Sequence, residues 1–198
     1  MQESTNPLII CGLQKTTLLD YPGYVAATIF TGGCISGGEP CLQPEALEDF
    51  ILQVRSLGLR IKLDTNGSRP QVIRHLAEQG LLDYIAMDIK AGPEHYPAVC
   101  GVSPDIDSVR ESVQWLLSGA VPFEFRTTAV KGLHTSEDFR QIGPWIAGCP
   151  DYYIQNYVPS ERVLHPDGFS SFTKEELLSF AEITAPFTGQ VNLRGIDY

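Results

Sequence analysis

The feature that most constrains this chain is a regular alternation of short apolar runs with amphipathic stretches of helical period. Residues 25–30 (VAATIF), 59–63, 84–89 (YIAMDI), 123–130, 152–158 and 191–194 read as strands. Residues 44–57, 70–79, 106–117, 136–147 and 173–183 read as helices between them. In the first of these, Leu47, Phe50, Ile51 and Val54 recur at helical spacing and Gly58 follows as a stop. Gly80 closes the second helix, and Val109, Val113, Leu116 and Leu117 share one face of the third. Ser136 is the expected N-cap of the fourth, with Glu137 and Asp138 in its first turn. Thr173 with Glu176 three residues on is a capping-box pattern. Strands alternating with helices imply a parallel sheet in an α/β fold, and this many units suggest a partial or full barrel. No linker or low-complexity stretch divides the 198 residues, so a single domain is expected.

One place breaks the rhythm. Residues 25–30 run into Thr31-Gly32-Gly33-Cys34, and Ile35-Ser36-Gly37-Gly38-Glu39-Pro40 follows at once. The second segment looks like the end of another strand and its turn. Parallel strands need a crossover of roughly a dozen residues or more, usually a helix. Either residues 35–40 are only a loop, or a helix and most of a strand are missing between Cys34 and Ile35.

Composition limits the function classes. A net charge of −10 and a pI near 4.8 argue against nucleic acid, which calls for clustered Lys and Arg. No run approaches the roughly 18–20 apolar residues of a membrane span, so no membrane partner is expected. The opening MQESTNPLII is not built as a secretory signal, so a cytoplasmic protein is expected. The cysteines, Cys11, Cys34, Cys41, Cys100 and Cys149, are odd in number and widely spaced, which fits reduced thiols better than a disulfide framework. Cys11, Cys100 and Cys149 read as small buried apolar residues.

The polar signatures recur where strands end. Cys34 follows the first strand, and Gly37-Gly38-Glu39-Pro40 sits where a second would finish. Asp64-Thr65-Asn66-Gly67 follows the next, Asp88 and Lys90 close YIAMDIK, Arg126 lies in FEFRTTAV, and Gln155 and Asn156 lie in YYIQNYV. In open and barrel α/β folds ligands bind at the carboxyl ends of strands, so convergence there points to one shared site. Each signature alone has a plainer reading. Gly37-Gly38 and Asn66-Gly67 are also ordinary turn pairs, and Asp88 and Lys90, two apart on one strand face, also make a simple ion pair. Arg126 inside an apolar strand needs an anion, supplied by a ligand or by Glu39, Asp64 or Asp88.

Together these residues resemble a family. Residues 12–30 (GLQKTTLLDYPGYVAATIF) with TGGC, then ISGGEPCLQP, KLDTNGS, DYIAMDIK, FRTT and QNYVPSE, are similar in order and content to the radical S-adenosylmethionine (SAM) activating enzymes of glycyl radical enzymes. The likeness is greatest to activators of anaerobic ribonucleoside-triphosphate reductases and of pyruvate formate-lyase. It implies a partial (β/α)6 barrel with most of its first helix and second strand missing here. It implies a [4Fe–4S] cluster on a C-x3-C-x2-C loop, of which Cys34 resembles the first ligand, with SAM completing the open iron. Gly37, Gly38, Glu39 and Pro40 resemble the turn that holds the SAM amino group. Asp64, Thr65, Asn66 and Asp88 resemble the surroundings of the SAM carboxylate, where some activating enzymes bind a monovalent cation. Lys90 resembles the lysine of a D-x-K motif, and Arg126 and Asn156 resemble pocket-lining positions.

The implied reaction is reductive cleavage of SAM to a 5′-deoxyadenosyl radical, which takes a hydrogen atom from a glycine of the partner enzyme. Asp88 and Lys90 are the expected catalytic residues, and a flavodoxin or ferredoxin the expected electron donor. The second and third cluster cysteines are absent, and Cys41, seven residues after Cys34, does not replace them. Given βαβ connection lengths, roughly 30–45 residues would be needed to restore the pattern. Two rivals follow: a cluster-less relative that works by binding, and an unrelated barrel with a divalent metal on Asp64, Asp88 and Glu39.

Overall fold

The structure, a computed structural model, describes the backbone of residues 10–17 and 26–31 and the chain over residues 38–100, 105–159 and 168–196. Strands β1 (Ile10–Thr17) and β2 (Ala26–Thr31) pair antiparallel as a two-stranded ribbon. A 3-10 turn at Pro40–Leu42 leads into α1 (Pro44–Ser56). There follow β3 (Lys62–Thr65), α2 (Pro70–Glu78), β4 (Tyr84–Asp88), α3 (Tyr96–Cys100) and α4 (Ile106–Leu117). Then come β5 (Phe123–Ala129), α5 (Ser136–Trp145), β6 (Asp151–Asn156), α6 (Lys174–Thr184) and β7 (Gln190–Arg194). Strands β3 to β7 form one five-stranded sheet in chain order, every pair parallel. This is the α/β architecture of a partial barrel.

The sheet is two-faced because side chains alternate along each strand. One set, Leu63, Ile85, Met87, Phe123, Phe125, Tyr152 and Ile154, belongs to the buried core with Leu47 and Ile51 of α1, Ile73 and Leu76 of α2, Val113 and Leu116 of α4, Phe139 and Ile142 of α5 and Leu177 and Phe180 of α6. The alternate set is polar: Lys62, Asp64, Asp88, Glu124, Arg126, Tyr153, Gln155 and Arg194. Register places Asp88 beside Arg126, Arg126 beside Tyr153, and Gln155 beside Arg194.

The helix layer closes around aromatic rings. Phe139 of α5 stacks on Phe180 of α6 at 4.2 Å, and Phe172 meets Phe180 edge-on at 4.9 Å. The expected capping box of α6 is present: Thr173 N–H donates to Glu176 at 2.8 Å and Glu176 N–H donates to the Thr173 hydroxyl at 3.3 Å.

Several boundaries differ from those expected of the sequence. The strand expected over residues 59–63 begins at Lys62, because Leu59 is 55% exposed and the ladder with β4 starts at Tyr84. The cap of α5 is Thr135, whose N–H donates to Asp138 at 2.8 Å, not Ser136. Strand β1 and the five-residue α3 lack a clear period of their own, and neither was expected. Gly38 and Glu39 are irregular rather than the tail of a strand, while residues 35–37 lie outside the described residues. No helix among the described residues is long and apolar enough to cross a membrane.

Candidate functional site

At the carboxyl ends of β3, β4 and β5 the polar face carries a closed ion network. Arg126 donates through Nη1 to Asp64 Oδ2 at 2.7 Å, and its Nε and Nη2 lie 3.1 and 3.0 Å from Asp88 Oδ1. Lys90 Nζ donates to Asp88 Oδ2 at 2.8 Å, and Lys62 Nζ donates to Asp64 Oδ1. Each carboxylate oxygen of the two aspartates thus has a cationic partner. The guanidinium side chain is only 11% exposed, so water screens its bond to Asp88 less than its bond to the more exposed Asp64. Burial alone would raise the Asp88 carboxyl, but Lys90 and Arg126 outweigh it and hold the group below the usual carboxylate range. Burial would lower the Arg126 pKa, and Asp88 and Asp64 reverse that.

Beside this network, Glu39 joins two loops. Its carboxylate is 4% exposed and accepts three hydrogen bonds. Oε1 accepts from Cys41 N–H at 3.1 Å and from the Thr65 hydroxyl at 2.8 Å; Oε2 accepts from Asn66 N–H at 2.6 Å. The turn after β3 is pinned again by Gly67 N–H donating to Thr65 Oγ1 at 3.1 Å and Ser112 Oγ donating to Gly67 O at 2.7 Å. Gly67 has φ +76°, and a Cβ there would overlap the Met87 thioether. The Asn66 side chain accepts from Ser68 N–H at 2.9 Å.

The loop that follows Lys90 is clasped to the start of α5. His134 Nδ1 accepts from Val130 N–H at 3.1 Å, so its Nε2 is the donor to Lys90 O at 2.7 Å. His95 Nδ1 lies 2.8 Å from Asp138, a carboxylate that is 3% exposed. Burial pushes Asp138 up, but the Thr135 N–H and His95 hold it below the usual range. Deeper on the polar face, fully buried Glu124 accepts from the Tyr84 hydroxyl at 3.2 Å, and Arg194 stands 3.7 Å from its other oxygen, beyond hydrogen-bond reach. Burial raises the Glu124 carboxyl. Arg194 also covers the Tyr153 ring at 3.7 Å.

The structure brings Asp64, Asp88, Lys90 and Arg126 together in one ion network and Glu39, Thr65 and Asn66 in a separate cluster after β3. Gly38 and Pro40 flank Glu39, while Cys34 and Gly37 lie outside the described residues. Asn156 is engaged elsewhere. Its amide donates to Phe172 O and accepts from Phe172 N–H, both at 2.9 Å, fixing the segment that enters α6. Sequence reasoning missed Glu124 and the His95–Asp138 pair. The alternation of FEFR signalled Glu124, whereas nothing local pairs His95 with a residue 43 positions on.

Comparison with known proteins places this geometry. A model of the radical SAM superfamily matches residues 24–142. The chain belongs to the radical SAM superfamily. A Methanocaldococcus jannaschii protein, provisionally named a glycyl-radical enzyme activating enzyme, is 25% identical over 232 aligned positions, covering 96% of this chain and 97% of the relative. That alignment is longer than the 198 residues here, so the relative carries residues with no counterpart in this chain. A 7-carboxy-7-deazaguanine synthase of Methanopyrus kandleri is 31% identical over 106 residues, half of this chain and 41% of that protein. Among solved structures, a domain of pyruvate-formate lyase-activating enzyme from Bacteroides vulgatus shares the fold with a TM-score of 0.64 at 17% identity, over 80% of this chain and 96% of that one. Streptococcus suis SuiB bound to S-adenosylmethionine shares it at 0.59 and 10% identity, over 80% and 38%.

Radical SAM proteins use SAM and an iron–sulfur cluster, and the two fit this chain unequally. SAM fits. Lys62, Lys90 and Arg126 pair with Asp64 and Asp88, with Glu124 also near Lys62 and Arg126, and Lys90 and Arg126 stand at the strand ends where a ligand carboxylate would meet them. No thiol among the described residues is placed to hold the cluster, and Cys34 lies outside them. Cys41 is 1% exposed with its thiol against Thr65, burial and Glu39 raise its pKa, and Cys149 is equally buried. No group of three His, Cys, Asp or Glu among the described residues is arranged to hold a metal, which also removes a divalent ion on Asp64, Asp88 and Glu39.

Proposed function

We propose that this protein is a radical SAM activase that installs a glycyl radical on a partner enzyme of the anaerobic ribonucleotide reductase kind. The ion network on the radical SAM sheet carries this reading, supported by a relative aligned over nearly its whole length under an activating-enzyme name. With both groups bound, the cofactor pair of this family supplies a 5′-deoxyadenosyl radical by one-electron cleavage of SAM.

The described residues serve the SAM half. Arg126 and Lys90 offer charge and hydrogen bonds to the ligand carboxylate, and Asp64 and Asp88 keep both cations aimed. Glu39 and Thr65 hold the two neighbouring loops in register. Asn156 acts at a distance by fixing the chain at Phe172. Cys34 supplies one thiolate, and the other two belong to residues that this 198-residue chain lacks. A reduced cytoplasm and a flavodoxin or ferredoxin donor suit that chemistry.

The second reading, a cluster-less SAM- or protein-binding relative, is favoured by one observation: a single cysteine at the motif position. The intact mass of the native polypeptide and its iron content after anaerobic reconstitution separate the two. A mass several kilodaltons above 21.8 kDa, with about four irons per chain, supports the activase. A mass of 21.8 kDa with no bound iron sinks it and leaves the binding protein.

A further inference from the structure

In place of a monovalent metal ion, we infer that the Arg126 guanidinium is the resident cation of the Asp64–Asp88 pair, so that this site works without sodium or potassium. This deepens the SAM reading, since the same aspartates flank the expected ligand carboxylate.

A hard monovalent cation at this place needs oxygen ligands from Asp64, Thr65 and Asp88. Each of those oxygens is already engaged. Asp64 Oδ1 is held by Lys62 and Oδ2 by Arg126 at 2.7 Å. Asp88 Oδ1 is held by Arg126 at 3.0 Å and Oδ2 by Lys90 at 2.8 Å. Thr65 Oγ1 donates to Glu39 at 2.8 Å and accepts from Gly67 N–H at 3.1 Å. An ion entering here would have to displace a guanidinium that is 11% exposed and already bridges the two aspartates. Loss of those charge-assisted hydrogen bonds, and the Lys62 and Lys90 charges beside the same carboxylates, oppose its entry. The planar fork of arginine suits this place, because two of its edges bridge carboxylates from different strands, which a lysine ammonium does not reproduce.

The test uses the whole ligand-free chain, so it stands whether or not SAM binds. Thermal unfolding is followed in choline, sodium and potassium chloride at equal ionic strength. A filled ion site at a hundred times its dissociation constant would raise the midpoint by roughly 5–10 °C for a chain of this size. We expect the same midpoint in all three salts for the wild type, and a potassium- or sodium-specific rise in Arg126→Gln, which vacates the space between the carboxylates. Arg126→Lys, should the glutamine variant not fold, is expected to gain a smaller rise. A specific rise in the wild type that Asp64→Asn abolishes overturns the inference, as does a folded Arg126 variant that stays unresponsive. A parallel titration with SAM separates the two ideas: absence of SAM binding in every salt contradicts the proposed function while the salt comparison still decides the role of Arg126.

Discussion

Glu39 accepts three hydrogen bonds and donates none, so glutamine in its place sets an amide NH2 against an N–H or hydroxyl donor. Glu39→Gln is expected to cost about 2–3 kcal/mol of stability in urea unfolding, from one bond lost and one buried donor left unpaired. A cost under about 0.5 kcal/mol would contradict the clamp. Gly67 permits an equally local test. Its positive φ and its contact with Met87 leave no room for a methyl group, so Gly67→Ala should loosen the turn and lower the unfolding midpoint, with Gly58→Ala, which meets nothing within 4 Å, as the conformational control. Acid sensitivity also belongs to single residues. Asp88 and Asp138 titrate lower in the folded chain than the roughly 3.9 of an unfolded aspartate, so the unfolded state binds more protons below that value. Their stabilisation is complete above about pH 4 and is lost as pH falls below it. Asp88→Asn should flatten the pH dependence of the urea midpoint there; an unchanged slope would assign acid unfolding elsewhere.

Elements were legible where period and punctuation agreed. Helices α1, α2, α4 and α6 announced themselves by apolar spacing and by Gly58, Gly80 or the Thr173–Glu176 box. The start of β3 was not, because Leu59 and Ile61 look like strand residues, yet Ile61 N–H donates to the Asp83 side chain instead of extending the ladder. The ion pairing of Arg126 was legible because a guanidinium in an apolar strand demands an anion, and the register β3-β4-β5 supplies two. The hydrogen bonds of the Asn156 amide to Phe172, sixteen residues on, are a contact that chain order alone does not reveal. The contact between α5 and α6 is where an element-level change is felt most. Phe139→Ala removes a fully buried ring stacked on Phe180 and should cost about 3–5 kcal/mol in chemical unfolding. A loss below about 1 kcal/mol would mean that the helices repack.

For the whole molecule, the sheet order and the polar face bring together the residues proposed to serve SAM, while of the three expected cluster thiolates this chain has only Cys34. The break expected between Cys34 and Ile35 rests on the minimum length of a parallel crossover, and the relative aligns over more positions than this chain has. The most direct measurement is calorimetric titration of the 198-residue chain with SAM, alongside Lys90→Ala. Saturable binding to the wild type is expected, with affinity lowered by about tenfold in the variant, the value of a charge-assisted contact near 1.4 kcal/mol. A folded wild-type chain that takes up no SAM, or a Lys90→Ala variant that binds it equally well, would contradict the placement of the site.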